Sequence, residues 1–259
     1  MASSSHRGQT GLSRGPGRVP LDRALSKLGL ASRAEARHLI KDGRVTVDGR
    51  VVRRPTTAVV PGRARISIDG AAPVTSHNAR RVVLLHKPRG TVTTRSDPQG
   101  RRTVFDVIGE AGRGLIAVGR LDLASTGLLI FTNDTQLANR LTDPARRVPR
   151  RYVVTVRGRV TPETARRIEH GMTLPASARD AGTERLKASS VEIRKASNRE
   201  THLLVELVEG RNRELRRLFD AAGHEPTRIH RISFGEYELG DLQPGKWREV
   251  PADKGNTGE

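Results

Sequence analysis

The sequence predicts an α+β fold, in which a small N-terminal module of helices and a hairpin precedes a larger domain built on a mixed, mostly antiparallel sheet flanked by helices. Helix-capping and hairpin signals are concentrated before residue 71, and a stretch of small polar residues follows them. Beyond that stretch, strand-like apolar runs outnumber helical ones and do not alternate with them. The predicted boundaries are a disordered basic tail at 1–18, the N-terminal module at 19–70, a linker at 71–79, the larger domain at 80–251 and a flexible C-terminus at 252–259.

Charge and composition limit the partners that the chain can have. Its 259 residues include 47 Lys and Arg against 28 Asp and Glu, a net charge of +19. This excess predicts a polyanionic partner, and nucleic acid is favoured over a membrane because no apolar run approaches about 18 residues. The absence of cysteine excludes disulfides and a cysteine nucleophile and fits a cytoplasmic protein. The histidines are scattered and the glycines lack the dinucleotide-binding spacing, so we expect neither a metal nor a cofactor.

Two helices and a hairpin are predicted in the N-terminal module. Apolar residues at helical spacing predict a first helix over 21–28, ended by Gly29, and Ser32 with Glu35 forms a capping box for a second helix that ends at Gly43. Valines alternate with polar residues around the turn at 48–49, which predicts a β-hairpin. Basic residues fall on the polar side of the second helix or just after it, as on a phosphate-binding surface or a solvated helix face. They are Arg33, Arg37, Lys41 and Arg44.

This pattern resembles the S4 RNA-binding domain. The resemblance rests on the segment 21–25, on the serine-arginine cap at Ser32 and Arg33, and on the hairpin sequence 43–49. It implies that the module holds structured RNA through its basic surface.

The larger domain is predicted from apolar periodicity. The strands expected are 82–85, 115–118, 127–132, 152–156 and 203–208. The helices expected are 136–141, 162–170 and 212–222.

Three features of this domain could combine into one site. Asp122 and Arg120 lie in a short polar loop between two apolar runs, where an aspartate is either a reactive carboxylate or a turn cap. Tyr152 begins a strand and is by default a core or rim aromatic. Three arginines are expected on the polar side of the 212–222 helix, where phosphates or a carboxylate such as Asp122 would balance them. They are Arg213, Arg216 and Arg217.

Three motifs of the larger domain resemble those of the pseudouridine synthases, specifically the ribosomal RNA enzymes that carry an N-terminal S4 domain and modify the RNA of the small or the large ribosomal particle. They are Lys87-Pro88-Arg89-Gly90, then Gly119-Arg120-Leu121-Asp122 followed by Thr126-Gly127, and Thr132-Asn133-Asp134. The resemblance implies a nucleophile at Asp122, a base-stacking aromatic at Tyr152 and a basic partner of Asp122 at Arg216, although the leucine spacing leaves Arg217 open. It also implies substrate contacts from Arg120, Arg213, Arg217 and one of Ile229 and Ile232.

The implied activity is isomerisation of a specific uridine to pseudouridine in ribosomal RNA, with the large subunit favoured. Such chemistry requires a carboxylate, a wall for the flipped base and a proton acceptor. An arginine within about 4–6 Å would favour the ionised form of Asp122. The expected partner is ribosomal RNA or an assembling ribosomal particle, and the expected state is a monomer. The alternatives are a non-catalytic ribosome-assembly factor and an RNA glycosidase that uses Asp122.

Overall fold

The computed structural model describes residues 17–28, 30–61, 63–71, 80–176 and 182–251. Contacts divide the chain into two units, Met1–Asn78 and Ala79–Glu259. Most of the predicted tail, Gly29, the linker beyond residue 71 and the predicted C-terminal segment lie outside the described residues. None of the helices in the described part is both long and apolar enough to cross a membrane.

The N-terminal module contains two short helices and two small antiparallel sheets, one of three strands and one of two. Its elements are β1 (Val19–Pro20), α1 (Leu21–Lys27), α2 (Arg33–Lys41), β2 (Val45–Val47), β3 (Arg50–Val51), β4 (Ala58–Val59) and β5 (Ile66–Ile68). The Ser32 hydroxyl accepts a hydrogen bond from the Glu35 amide at 3.2 Å and the Ser32 amide donates to the Glu35 carboxylate at 3.3 Å, so the predicted capping box forms. The predicted hairpin pairs β2 with β3, and β5 adds a strand that was not predicted.

The larger domain is built on a sheet of nine strands with the central order β12-β13-β9-β14-β8-β6-β16. Its strands are β6 (Val82–Lys87), β7 (Ile116–Val118), β8 (Thr126–Thr132), β9 (Arg150–Arg157), β12 (Ser190–Ala196), β13 (Glu200–Leu207), β14 (Pro226–Phe234), β15 (Tyr237–Glu238) and β16 (Trp247–Val250). Among these strands only β14 and β8 pair in parallel, so the expected mixed, mostly antiparallel sheet is confirmed.

Helices and a separate small hairpin flank this sheet. They are α3 (Val104–Ile108), α4 (Thr135–Thr142), α5 (Pro162–His170), β10 (Met172–Pro175), β11 (Thr183–Leu186) and α6 (Glu214–Ala221). Apolar residues of α5 and α6 pack against β9 and β13 in one core cluster, whereas α4 packs with β6 and β8 in another. Burial of these amphipathic faces is what holds short helices against the sheet.

Two differences from the predicted elements matter for the site. The helix predicted at 212–222 begins only at Glu214, because Arg213 has a φ of 49° in the left-handed region and stands outside the helix as its N-cap. The strand β14 was not predicted, since Arg228, His230 and Arg231 interrupt its apolar residues, yet it lies in the centre of the sheet.

Candidate active site

Asp122 lies in the loop 119–125, which connects the antiparallel strands β7 and β8. The Ser125 amide donates to the Asp122 carbonyl at 3.0 Å and closes a turn at the end of this loop. The Asp122 side chain is 39% exposed, so its carboxylate is open to a substrate. We call residues 119–125 the catalytic loop below.

Lys87 holds the catalytic loop through hydrogen bonds to its backbone carbonyls. Its side chain is fully buried at the end of β6, and its Nζ donates to the carbonyls of Ser125 at 2.8 Å and Asp122 at 3.0 Å. Longer contacts reach the carbonyls of Pro88 and Leu123. Burial lowers the pKa of Lys87 to about 8, and the nearby Asp122 carboxylate opposes this shift. One ammonium group therefore fixes both ends of the turn that carries Asp122.

Arg216 is the arginine that α6 places beside the candidate nucleophile. Its Nε lies 3.9 Å from Asp122 Oδ2, and its Nη1 donates to the Pro226 carbonyl at 3.3 Å. The Arg216 side chain is 17% exposed, so this ion pair is partly shielded from water. The pair places an opposite charge beside the Asp122 carboxylate.

The structure separates Arg217 from the other two arginines that the sequence placed together. Arg217 points to the β10–β11 hairpin, where Nη1 lies 2.6 Å from Glu184 and Nη2 donates to the Pro175 carbonyl at 2.5 Å. The hydrogen bonds from Arg211 and Arg217 hold the pKa of Glu184 below its usual range. Exposed Arg213 precedes α6 and lines the same cavity as Asp122. The expectation of one shared arginine face is therefore wrong for Arg217, because consecutive residues of a helix point about 100° apart and Arg217 turns away from the side that carries Arg216.

A cavity of about 470 Å³ surrounds Asp122. Tyr152 on β9 and Ile229 on β14 both line it and are both largely buried, and exposed Arg120 lies at its edge. Ile232 is the extra residue of a β-bulge in β14 and is not among the residues lining the cavity, so Ile229 is the one placed near Asp122. The cavity thus has an aromatic wall, an aliphatic wall and a carboxylate.

A row of paired residues crosses the sheet beneath this cavity. Lys87 pairs with Gly127, Gly127 with Arg231, and Arg231 with Tyr152. Residues directly opposite one another share a face of a sheet, so the side chains of this row lie on one face. A Cβ on Gly127 would lie 2.2 Å from the Arg231 carbonyl oxygen, and its φ is +103°, so only glycine allows β8 and β14 to approach here.

Three buried charged side chains line the cavity and were not predicted from the sequence. Arg150 is 6% exposed, Arg231 2% and Glu214 4%, and all three line the cavity. Burial raises the pKa of Glu214 to about 7, although its carboxylate accepts a hydrogen bond from the Arg211 amide at 3.2 Å. In the sequence these residues appear only as charged residues inside or beside strand-like runs. Such residues are normally exposed, so the pattern gave no indication of burial.

Basic residues of the N-terminal module are exposed but partly paired. The Arg37 Nε donates to Asp22 at 3.0 Å and Arg33 lies 3.9 Å from the same carboxylate, which is buried beneath them. Arg44 forms a two-bond ion pair with Asp69. Lys41 is exposed at the end of α2. Among the residues that the structure describes, no cluster of metal-ligating side chains is present in either unit.

Comparison with known proteins identifies both units. A model of the RNA pseudouridylate synthase family matches residues 81–221, and a model of the S4 domain matches residues 19–63. Ribosomal large subunit pseudouridine synthase B of Escherichia coli (strain K12) is 39% identical over 236 residues, which cover 89% of this chain and 78% of that protein. The protein of the same name from Yersinia pestis is 37% identical and is covered over 72% of its length.

Two further proteins match over most of their length. An uncharacterized RNA pseudouridine synthase of Aquifex aeolicus is 36% identical, with 90% of each chain covered. The crystal structure of a pseudouridylate synthase superimposes with a TM-score of 0.61 and 25% identity, covering 90% of this chain and 96% of that one. With a carboxylate, an arginine and an aromatic wall gathered in one cavity of the matched domain, this chain belongs to the RNA pseudouridylate synthase family and carries an S4 domain.

Proposed function

We propose that the protein isomerises a specific uridine of ribosomal RNA to pseudouridine, with large-subunit RNA as the favoured substrate and Asp122 as the nucleophile. The observation that carries the proposal is the position of Asp122, open to the cavity and 3.9 Å from Arg216. The names of the relatives support a large-subunit substrate. The proposal places the protein in the cytoplasm as a monomer acting on ribosomal RNA or an assembling particle.

The cavity residues have separate roles in this proposal. Tyr152 stacks on the flipped base, and this stacking offsets part of the few kcal/mol lost when the base leaves its stack in the RNA. Tyr152 also helps to remove the C5 proton. Ile229 supports the base from the other side, and Arg120 and Arg213 contact RNA at the rim of the cavity. Arg216 keeps Asp122 paired with an opposite charge until the substrate binds.

The N-terminal module supplies affinity rather than chemistry. Arg33, Arg37 and Lys41 contact phosphates in the proposal, and the buried Asp22 holds the two arginines in place. Arg44 already forms an ion pair with Asp69, so it can contact a phosphate only by leaving the Asp69 carboxylate. Affinity should fall steeply with salt, because each phosphate contact releases counterions.

The test uses unmodified ribosomal RNA of the host, wild-type protein and Asp122→Asn. Pseudouridine is mapped by reverse-transcription stops after carbodiimide treatment, and the ribosomal RNA that carries the stop identifies the substrate. The expected result is one stop with wild type and none with Asp122→Asn, while RNA affinity is kept. Absence of any Asp122-dependent stop contradicts the proposal. Release of free uracil would identify a glycosidase, and an Asp122→Asn protein that still supports ribosome assembly would identify a non-catalytic factor.

The choice of Arg216 over Arg217 has its own test. Both arginines lie on α6, but Arg216 faces Asp122 and Arg217 faces Glu184. Arg216→Gln should lower kcat by about 10- to 100-fold through loss of the neighbouring charge. The matched variant Arg217→Gln should keep kcat and lose only stability. The opposite result would show that Arg217 is the partner of Asp122.

A further inference from the structure

Arg231 is a buried charge that the proposed roles leave unexplained. Its side chain is 2% exposed and lines the cavity that holds Asp122 and Tyr152. The Nε donates to the Leu128 carbonyl at 2.8 Å, and the guanidinium lies 5.0 Å from the Phe234 ring centroid. The Nη2 is buried and has no hydrogen-bond partner.

An unbalanced buried guanidinium is costly in a folded protein. Throughout the described part of the larger domain, no carboxylate lies within ion-pair distance of Arg231. The three carboxylates that line the cavity have other partners, since Asp122 faces Arg216, Glu209 pairs with the Arg211 side chain and Glu214 accepts from the Arg211 amide. Lys87 and Arg150 are also buried and cationic, and both are close enough to Arg231 to be affected by its charge. The residues that line the cavity therefore carry excess positive charge, because arginines outnumber carboxylates among them.

The position of Arg231 indicates which part of the RNA it meets. Arg231 pairs with Tyr152 across β14 and β9, so it is adjacent to the aromatic that stacks on the target base. Backbone phosphates are the outer, hydrated part of an RNA chain, whereas a flipped base is the part that enters a buried pocket. The most buried arginine of the cavity is thus placed for the base.

We infer that Arg231 is a catalytic residue whose free Nη2 donates a hydrogen bond to a carbonyl oxygen of the flipped uracil and stabilises the negative charge that the base carries while it is detached. The inference rests on the proposed function, because it requires that Asp122 acts in this cavity. It explains why a buried arginine without an acidic partner is retained beneath the site.

The charge follows from the bonds that change. When the bond between N1 and C1′ breaks, the Asp122 carboxylate bonds to C1′, and the pair from the broken bond stays on the base and is shared by N1 and the carbonyl oxygens. C5 then displaces the carboxylate from C1′ with a pair from the ring, loss of the C5 proton returns a pair to the ring, and N1 takes up a proton. The nucleotide keeps its composition, and Arg231 transfers no proton. A hydrogen bond to the oxygen strengthens only while the pair resides on the base, which is the condition for catalysis rather than mere binding.

The first test is Arg231→Met, which keeps the length and apolar stem of the side chain. We expect kcat to fall by about 100-fold, as for loss of one donor to a developing anion. The RNA dissociation constant should stay within about threefold of wild type. The melting temperature should be unchanged or higher, because removal of an unbalanced buried charge is neutral or stabilising. Arg231→Lys should retain more activity than Arg231→Met. The control Arg248→Met, at a half-buried arginine that does not line the cavity, should keep wild-type kcat.

The second test changes the acceptor instead of the donor. Target RNA is prepared with 2-thiouridine or 4-thiouridine at the modified position, because sulfur is a weaker acceptor than oxygen. One of these substitutions should slow wild type strongly and slow Arg231→Met far less, which shows that donor and oxygen act together. Equal slowing of both proteins by each substitution overturns the inference.

Other outcomes separate the explanations. Loss of RNA affinity with a smaller salt dependence and an unchanged kcat assigns Arg231 to a phosphate and overturns the inference. A large fall in melting temperature, or failure to fold, assigns it to the fold and also overturns it. If Asp122→Asn remains active, the proposed function fails; if Asp122→Asn is inactive and Arg231→Met keeps its kcat, only the inference fails.

Discussion

Lys87→Met removes the donor beneath the catalytic loop and keeps an apolar stem of similar length. Two charged-donor hydrogen bonds, at 2.8 and 3.0 Å, are lost. At about 1.5–3 kcal/mol each they sum to about 3–6 kcal/mol. The pKa of Lys87 is lowered from 10.5 to about 8, so relief of its burial returns about 3 kcal/mol. The net loss of stability should therefore be only about 0–3 kcal/mol.

Activity should respond far more than stability does. Without Lys87 the turn that carries Asp122 loses the donor to both of its ends. A displacement of about 1 Å in a reacting group can cost about 100-fold in rate. We expect kcat to fall by about this factor while RNA affinity is kept, measured as tritium release from ribosomal RNA labelled at uridine C5. The matched control is Lys195→Met on exposed β12. A Lys87→Met protein with a kcat within about threefold of wild type would refute the reasoning.

The pH dependence of Lys87 gives an independent check with a defined sign. Its pKa in the folded protein, about 8, lies below the unfolded value of 10.5. Between these values the unfolded chain binds more protons, so the contribution of Lys87 to the free energy of unfolding rises with pH in this window. Activity should fall as the pH rises through about 8, where the ammonium group of the folded protein loses its proton. Urea unfolding and tritium release measured from pH 7 to 10 should show these opposite trends in wild type and neither in Lys87→Met.

Three further outcomes follow from the buried residues around the cavity. Burial raises the pKa of Glu214 from 4.5 to about 7, so the free energy of unfolding falls as pH rises through this range. Glu214→Gln should therefore be more stable than wild type by up to about 3 kcal/mol at pH 8 and equally stable near pH 4. Urea unfolding at the two pH values measures this difference. Gly127→Ala would bring its Cβ within 2.2 Å of the Arg231 carbonyl oxygen. It should lower the free energy of unfolding by more than about 4 kcal/mol, so that no cooperative thermal unfolding transition is seen. Gly114→Ala has a similar positive φ but open space around it and should cost only about 1–2 kcal/mol. An Arg216→Gln protein should keep its RNA dissociation constant while it loses turnover, which a filter-binding titration beside the rate measurement can check.

Local signals were sufficient for much of the fold. The capping box at Ser32, the hairpin at residues 48–49 and the apolar runs of the sheet depend on neighbouring residues only, and each forms where the sequence predicts it. The helix α5 has the predicted bounds because a threonine cap and Pro162 start it and Gly171 follows it. The two-residue strands β1 and β4 were not predicted, since nothing but their pairing with each other defines them.

The candidate site was predicted in its residue types and less well in its geometry. Asp122, Tyr152 and Arg216 come together in one cavity, and the identity of each was available from motifs. The direction of each arginine was not available, because Arg213 lies outside α6 in a left-handed conformation and the partners of Arg216 and Arg217 depend on tertiary packing of the helix. Arg231 was missed because a strand with a buried arginine has the same sequence pattern as an exposed loop.

The central position of β14 determines when the enzyme can become active. This strand follows β8 and β9 in the sequence, lies between them in the sheet, and joins two groups of strands that do not otherwise pair. Asp122 precedes β8 and Arg216 precedes β14, and the parallel pairing of these two strands brings the residues before them to one end of the sheet. Contacts of such long sequence separation form late in folding. During synthesis β14 emerges after β8 and β9, so we expect no RNA modification by the nascent chain before β14 has left the ribosome and paired with both.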